Sequence, residues 1–355
     1  MENPLGKRLR ELPGPVLLTG HTGFKGTWMT FLLEYLKVPV VGYSLEPEKD
    51  SLFDRAKRTA AIPEVFADIR DFQALEKFID FHKPSTIIHM AAQPLVLKSY
   101  ETPRETFAIN VMGTVNLLDI AFTKEYVKAV TIVTTDKVYK NDNSGKAFIE
   151  SDPLEGKDPY SASKVGTEAV VAAWQQIAKV TGGPVVTSVR AGNVIGGGDF
   201  ARDRLIPDLI RGLISGNVVE IRNPESIRPW QHVLDPLAGY LQCLESALIG
   251  EISNSFNFGP SGKMITVAEI ISIARTMFPE IRISYLEHST ELEFESAILN
   301  LDSKNSTDNL NWKPFFNQKE AIISTLEWWQ KYLMDNSSPS DSCLREIESF
   351  LEIKD

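Results

Sequence analysis

Apolar positions along the chain gather into short continuous runs, and polar positions punctuate longer stretches in which apolar residues recur at helical spacing. Residues 15–19 form the first run, and a helix-period stretch over 27–36 follows it. Runs at 38–44, 65–69, 84–93 and 129–133 repeat the pattern, with a helical stretch carrying Asn110, Gly113 and Asn116 ahead of the last. Residues 185–190 predict a sixth strand. Unbroken apolar runs suit strands buried on both faces, so their alternation with helices predicts an α/β fold with a doubly wound parallel sheet.

Beyond Arg190 the alternation stops. Glycines from Gly192 to Gly198 mark a loop, and Asp203-Arg204-Leu205-Ile206-Pro207 opens a helix with proline in its first turn. Residues 267–278 read as an amphipathic helix, and 325–333 as one whose Trp328 and Trp329 pack in a core rather than stack on a ligand. Asp335 to Ser342 has linker composition, ahead of a short amphipathic helix through Phe350.

The first run leads directly into Gly20-His21-Thr22-Gly23-Phe24-Lys25-Gly26. Strand, glycine turn and helix in succession suit a dinucleotide, because glycines admit a pyrophosphate to the backbone and the helix start offers unpaired N–H groups. Thr19, Gly20, Gly23, Phe24, Lys25 and Gly26 are the candidates there. His21 is bulkier than such a turn needs; it either meets the pyrophosphate or faces solvent. The second strand lacks the acidic residue that usually takes the adenosine ribose, leaving Ser44 and Glu46 as the nearest polar groups. Asp68, with Ile69 beside it, is placed to accept from an adenine amino group. Ala91, Ala92 and Gln93 end the fourth strand in small residues where a cofactor backbone fits closely. The chain then divides into a dinucleotide-binding domain over 1–190 (core 15–190), a mainly substrate-binding domain over 191–335 with segments returning to the sheet, and a linker and short helix over 336–355.

The run at 129–133 ends in Thr134-Thr135-Asp136-Lys137, which should emerge at the carboxyl edge of the sheet, where open α/β folds bind ligands. Tyr160 and Lys164 lie four residues apart on one helix face, and no other tyrosine of the chain has a lysine at that spacing. A neighbouring ammonium favours phenolate, so the pair makes a proton acceptor for an alcohol being oxidised.

Charge and composition narrow the partners. The net charge of −10 disfavours nucleic acid and anionic membranes, and no apolar run reaches the ~20 residues that span a bilayer. Cys243 and Cys343 stand alone and far apart, which fits a reducing, cytoplasmic setting. The five histidines show no metal-ligand spacing, and we expect no metal.

In chain order, Gly20-x-x-Gly23-x-x-Gly26, Asp68-Ile69, His89-x-Ala91-Ala92, Asn110 and Tyr160-x-x-x-Lys164 resemble the extended short-chain dehydrogenase/reductases, a Rossmann-type family. Within it the chain resembles the nucleotide-sugar 4,6-dehydratases. Thr19 to Gly26, Arg190 to Asp199, and Ile221 to His232 resemble the branch acting on CDP-glucose. The resemblance implies NAD kept in the site and recycled, a homodimer or dimer of dimers, and a nucleotide-sugar substrate turned into its 4-keto-6-deoxy form. It assigns Tyr160 with Lys164 as base at the C4 hydroxyl, Thr135 as its hydrogen-bonding partner and Asp136 as acid at the C6 hydroxyl. Lys137 stands where relatives using dTDP-glucose carry glutamate, and we expect it to be the C5 base, coupled to Asp136. Asn110 joins the cofactor residues, and Gln93 also faces substrate.

In the carboxyl-terminal half, Asn193 is expected at a substrate phosphate or sugar, and Leu205, Ile206 and Ile221 at the nucleotide base. Arg228, near Trp230, is expected to clamp the diphosphate, because guanidinium binds phosphate bidentately, and His232 is expected at the substrate beside it. Arg190, Arg204 and Arg222 are secondary candidates for the clamp, since each could equally be a surface charge or a structural ion pair, and of these Arg204 is placed among the substrate residues. Two other readings are an NAD-dependent sugar epimerase, which has no use for an acid and a base at 136 and 137, and a non-catalytic cofactor sensor, which tends to lose the tyrosine or lysine kept here.

Overall fold

The structure, a computed structural model, describes residues 4–250, 255–285, 299–334 and 337–352. Seven strands form the central sheet: β1 (Val16–Thr19), β2 (Val40–Ser44), β3 (Glu64–Phe66), β4 (Thr86–His89), β5 (Ala129–Val133), β6 (Val185–Ala191) and β7 (Ser255–Phe258). All pair in parallel, in the order β7-β6-β5-β4-β1-β2-β3. The direction of winding reverses between β1 and β4, which opens a crevice at their carboxyl ends. The doubly wound α/β architecture read from the sequence is the one the chain adopts.

Both faces of the sheet are covered, which explains the unbroken apolar runs. Leu18 and Ile88 pack on one face with α1 (Phe24–Tyr35) and the later helix Leu234–Ala247. Leu17, Ile87, Val130 and Ile132 pack on the other with α2 (Phe72–His82), α3 (Gly113–Phe122) and α4 (Pro159–Thr181). Alternate residues of one strand thus feed two cores. Among the described residues no helix is long and apolar enough to cross a membrane.

Several boundaries differ from the sequence reading. α1 begins at Phe24 rather than Thr27, because Phe24, Lys25 and Gly26 already form its first turn and Gly23 is its N-cap. β3 stops at Phe66, so Asp68 and Ile69 lie beyond it. β7 is the segment that returns to the sheet from the second half, with Ser255 opposite Ser188 of β6. The helix Leu234–Ala247 is α5, Gln318–Met334 is α6, and Pro339–Glu352 is α7. Residues 339–342, read as linker, are therefore helical: Pro339 is a good first-turn residue, and the face carrying Cys343, Ile347, Phe350 and Leu351 is buried. Trp328 and Trp329 are core residues, as expected.

Candidate active site

Two elements bring the catalytic candidates together. After β5, Thr135 caps a single 3-10 turn, Asp136–Val138, its Oγ1 accepting the Lys137 N–H at 3.3 Å. Across the crevice, Asp158 caps α4 by accepting from the Ser161 N–H at 2.9 Å, with Pro159 in the first turn. The Tyr160 N–H donates to Ser99 Oγ at 3.1 Å. Anchored this way, the Tyr160 phenol comes beside the Thr135 hydroxyl, whose influence favours the deprotonated phenol. Thr135 Oγ1 in turn donates to Asp136 Oδ1 at 3.0 Å. Lys164, one helical turn further on, donates from Nζ to the Val133 carbonyl at 3.1 Å.

Burial sets the electrostatics. The Asp136 carboxyl, 2% exposed, is pushed up to about 6 by desolvation, against the Lys137 charge, the Thr135 hydroxyl and Arg228. Desolvation also pushes the Tyr160 phenol up to about 12, opposed by the Thr135 hydroxyl and the Arg204 charge. Within the protein, burial outweighs the charges that favour phenolate, and the Lys164 ammonium donates to a carbonyl. Lys164 is itself brought down to about 8 by burial, with Glu168 opposing.

The glycine turn fits a dinucleotide by a test internal to the chain. Gly20 has φ +73°, and a Cβ there would lie 2.7 Å from the Ala91 nitrogen; at Gly26 it would lie 2.1 Å from the Gly20 carbonyl oxygen. The fold needs those two glycines. Gly23 has φ −72°, and a Cβ would meet only the Gly20 oxygen at 3.4 Å, so neither conformation nor packing demands glycine there. It faces outward at an uncapped helix start, the place where a pyrophosphate would approach the backbone. Ala91, Ala92 and Gln93 are half-buried along the same crevice. Phe24 packs partly against the first core. Lys25 reaches inward: its Nζ lies 5.7 Å from the centre of the Tyr240 ring, and burial, with the Lys164 and Arg204 charges, brings it down to about 7.

Other expected ligands are committed within the protein. Thr19 Oγ1 is fully buried, 2.7 Å from His89 Nδ1, and accepts from the Met90 and Ala91 N–H groups at 3.1 and 3.2 Å, so it ties β1 to β4. The buried Ser44 hydroxyl pairs with Thr22 at 2.8 Å. Arg70 grips the Asp68 carboxylate at 2.6 Å and holds it below the usual range, while Ile69 is buried against Gly113. Asn110, 1% exposed, accepts the Gln93 N–H at 2.8 Å and donates to Ser163 Oγ at 2.8 Å. It lies in a π-helical turn, Ala108–Met112, whose Asn110 carbonyl accepts from the Thr114 and Thr167 hydroxyls at 2.7 and 2.9 Å. His21 does not reach solvent: it is buried, 2.7 Å from Glu64, behind Gly42.

Arg204 and Arg228 approach the catalytic cluster, the first beside Tyr160 and the second beside Asp136. Arg204 also pairs with Asp199 at 2.8 Å. Asn193 is half-buried in a short strand, Asn193–Ile195, parallel to Trp230–His232. Leu205 is partly buried, whereas Ile206 and Ile221 are sealed in the first core and offer no pocket wall. His232 is not a substrate ligand either: it is fully buried, 3.0 Å from Glu346 of α7 and against Trp28 and Phe316.

Two site residues escaped the sequence reading. Glu168 lies under Thr134, takes its hydroxyl proton as a hydrogen bond, and binds Arg190 at 2.8 Å through both oxygens. Its signal was the spacing Lys164-x-x-x-Glu168, which puts carboxylate and ammonium on one helix face. Tyr240 is fully buried, its hydroxyl has no partner among the described residues, and it senses the Tyr160 and Asp136 charges. Nothing in its local sequence marks it.

This fold and site define a class: the chain belongs to the NAD dependent epimerase/dehydratase family, whose model matches residues 16–259. More particularly, it is 39% identical over 326 residues to the CDP-glucose 4,6-dehydratase of Salmonella typhimurium, covering 90% of this chain and 91% of that protein. It is 25% identical to the dTDP-glucose 4,6-dehydratase of Haemophilus influenzae, over 91% of this chain and 99% of that one. The solved dTDP-glucose 4,6-dehydratase of Streptomyces venezuelae shares the fold with a TM-score of 0.76 at 24% identity, covering 89% of this chain and 97% of that chain. The UDP-glucose 4-epimerase of Thermotoga maritima does so with 0.77 at 20%, covering 90% and 99%.

Proposed function

We propose that this chain is an NAD-dependent 4,6-dehydratase that converts CDP-glucose to CDP-4-keto-6-deoxyglucose. The observation that carries the reading is the continuous cluster of Tyr160, Thr135 and Asp136, with Lys137 beside it. An epimerase needs the first two groups, and has no task for a buried acid with a lysine next to it.

NAD, held by the Gly20 to Gly26 turn and the crevice beside Ala91, Ala92 and Gln93, would supply the oxidation at C4 and the reduction at C6 with no net change of its own. Tyr160 takes the C4 hydroxyl proton, and Thr135 holds that hydroxyl in line. Arg204 supplies positive charge near the phenol, and a nicotinamide ring beside it would add to that. Once C4 is a ketone, the C5 proton is acidified; Lys137 removes it and later returns it. Asp136, kept protonated by burial to higher pH than an ordinary carboxyl, gives its proton to the C6 hydroxyl, which leaves as water. Arg228 and Arg204, whose charges reach Asp136 and Tyr160, meet the substrate diphosphate in this reading, with Asn193 and Gln93 at the sugar side. In this reading residues 1–190 hold the dinucleotide and 191–335 mainly hold the nucleotide sugar.

Exposed Leu97, Tyr100, Phe107 and Met112 lie close together in sequence on the helices before α3, and support a homodimer or dimer of dimers. Two free buried thiols, Cys243 and Cys343, support a cytoplasmic setting. Incubation with CDP-, dTDP-, UDP- and GDP-hexoses tests the reading. The expected result is the alkaline ultraviolet signature of a 4-keto sugar, strongest with CDP-glucose; preference for dTDP-glucose would overturn the assigned substrate, and turnover of none would overturn the activity.

A further inference from the structure

The segment from Gly192 to Asp199 runs between the cofactor turn and the strand that follows Arg228. It leaves the carboxyl end of β6, and Asn193–Ile195 pairs in parallel with Trp230–His232. A Cβ at Gly192 would lie 2.5 Å from Pro229 Cγ, and one at Gly196 would lie 3.3 Å from Phe24 Cζ of the cofactor turn. A Cβ at Gly197 would collide with the Trp328 ring, and Gly198, with φ +76°, lies against Leu52. Trp28 of α1 donates from Nε1 to the Gly197 carbonyl at 3.0 Å. Just beyond, Arg211 donates to the Phe200 and Ala201 carbonyls at 3.3 and 3.1 Å. Close packing on every side therefore holds this loop in one place.

Asp199 stands where the loop ends. Its side chain is 5% exposed and both oxygens are used: Oδ1 accepts the Ala201 N–H at 3.1 Å, and Oδ2 accepts from Arg204 Nη1 at 2.8 Å. The arginine is committed far less. Its side chain is 37% exposed, and of the five N–H donors of its guanidinium only one Nη1–H has a partner among the described residues. The carboxylate is sealed and saturated while the guanidinium stays open, so the pair fixes the arginine without using it up. Arg204 precedes the helix Leu205–Ser215, and its charge reaches Tyr160 and Lys25 in the crevice.

Resting on the dehydratase reading, in which Arg204 meets the substrate diphosphate, we propose that Asp199 is a positioning residue for the nucleotide sugar. It holds the Arg204 guanidinium ready for phosphate, on a loop braced by the cofactor-binding helix. Removing the carboxylate has two opposed effects: the arginine loses its tether, and it gains net charge toward a phosphate. Arg204 is more than a third exposed, so the second effect is screened by water and salt. Ordering a rotamer-rich side chain at the moment of binding weakens affinity by a factor of about 2 to 12, so the tether decides the sign.

The test is calorimetry with CDP on the full-length protein saturated with NAD. Asp199→Asn, which can still accept the Ala201 N–H, is expected to weaken CDP binding by a factor of about 2 to 12 and to leave NAD affinity unchanged. Arg204→Ala is expected to weaken CDP binding by a factor of about 10 to 100, the range for a charged hydrogen bond, and adding Asp199→Asn to it should cost nothing more. A residue that only shaped the loop would give the same loss in both backgrounds. Unchanged CDP affinity in either single variant, a further loss in the double variant, or no CDP binding by the wild type overturns the inference. Asp199→Ser, whose hydroxyl can also take the Ala201 N–H, gives the same readings if the asparagine variant fails to fold. Failure of the dehydratase reading is seen separately, as the absence of a 4-keto-6-deoxy product from any nucleotide hexose.

Discussion

Two buried carboxylates lie near the same crevice and are treated in opposite ways. Glu168, below the sheet edge, receives both Arg190 nitrogens at 2.8 Å, the Ser188 hydroxyl at 2.8 Å and the Thr134 hydroxyl. In spite of burial, these partners hold it below the ordinary carboxyl range. Asp136, above the edge, has one hydroxyl on Oδ1, an orphaned Oδ2, and a carboxyl raised to about 6. Saturating a buried carboxylate fixes its charge and makes it scaffold. Starving one leaves a proton to give away, and that is the state an acid catalyst requires.

The contrast is broken or sharpened most strongly by swapping each carboxylate for its amide. Asp136→Asn is expected to lower kcat by roughly 10²–10⁴, the range for a positioned acid, with little change in Tm. Glu168→Gln is expected to do the reverse, destabilising by about 3–5 kcal/mol in denaturant unfolding because Arg190 is left buried without its countercharge. Equal losses of activity and stability in both variants would erase the distinction.

Stability against pH gives a finer measure. The folded Asp136 carboxyl lies above its unfolded value, so the folded state binds the extra proton between about 4 and about 6. Its favourable contribution is complete below that window and lost as pH rises through it. Relative to Asp136→Asn, the wild type should therefore lose roughly 2–3 kcal/mol between those limits. A flat difference would contradict the raised carboxyl. The smallest effects separate two glycines. Gly26→Ala, with a Cβ 2.1 Å from a carbonyl oxygen, should destabilise by about 1–3 kcal/mol. Gly23→Ala should leave Tm nearly unchanged and weaken NAD binding about tenfold, or ~1.4 kcal/mol, measured by calorimetry.

What the sequence made legible follows the same division. Thr135 and Asp136 were readable because they directly follow a strand whose end the topology carries to the sheet edge, and Tyr160 because Lys164 lies one turn on along the helix it opens. Asp68 and His232 have partners that the local pattern did not report, Arg70 two residues on and Glu346 far along the chain. Ile206 and Ile221 were taken as pocket walls from apolarity alone, a property that core and pocket share. Tyr240 comes to the site through the packing of α5 beneath β5, and no local pattern reports that.

The central claim is that one cluster acts on C4, C5 and C6 of a single sugar. CDP-glucose carrying deuterium at C4 tests it most directly, with the product examined by NMR and mass spectrometry. The account predicts that the deuterium appears on the C6 methyl group of a 4-keto product. Deuterium retained at C4 of an epimeric alcohol would contradict it.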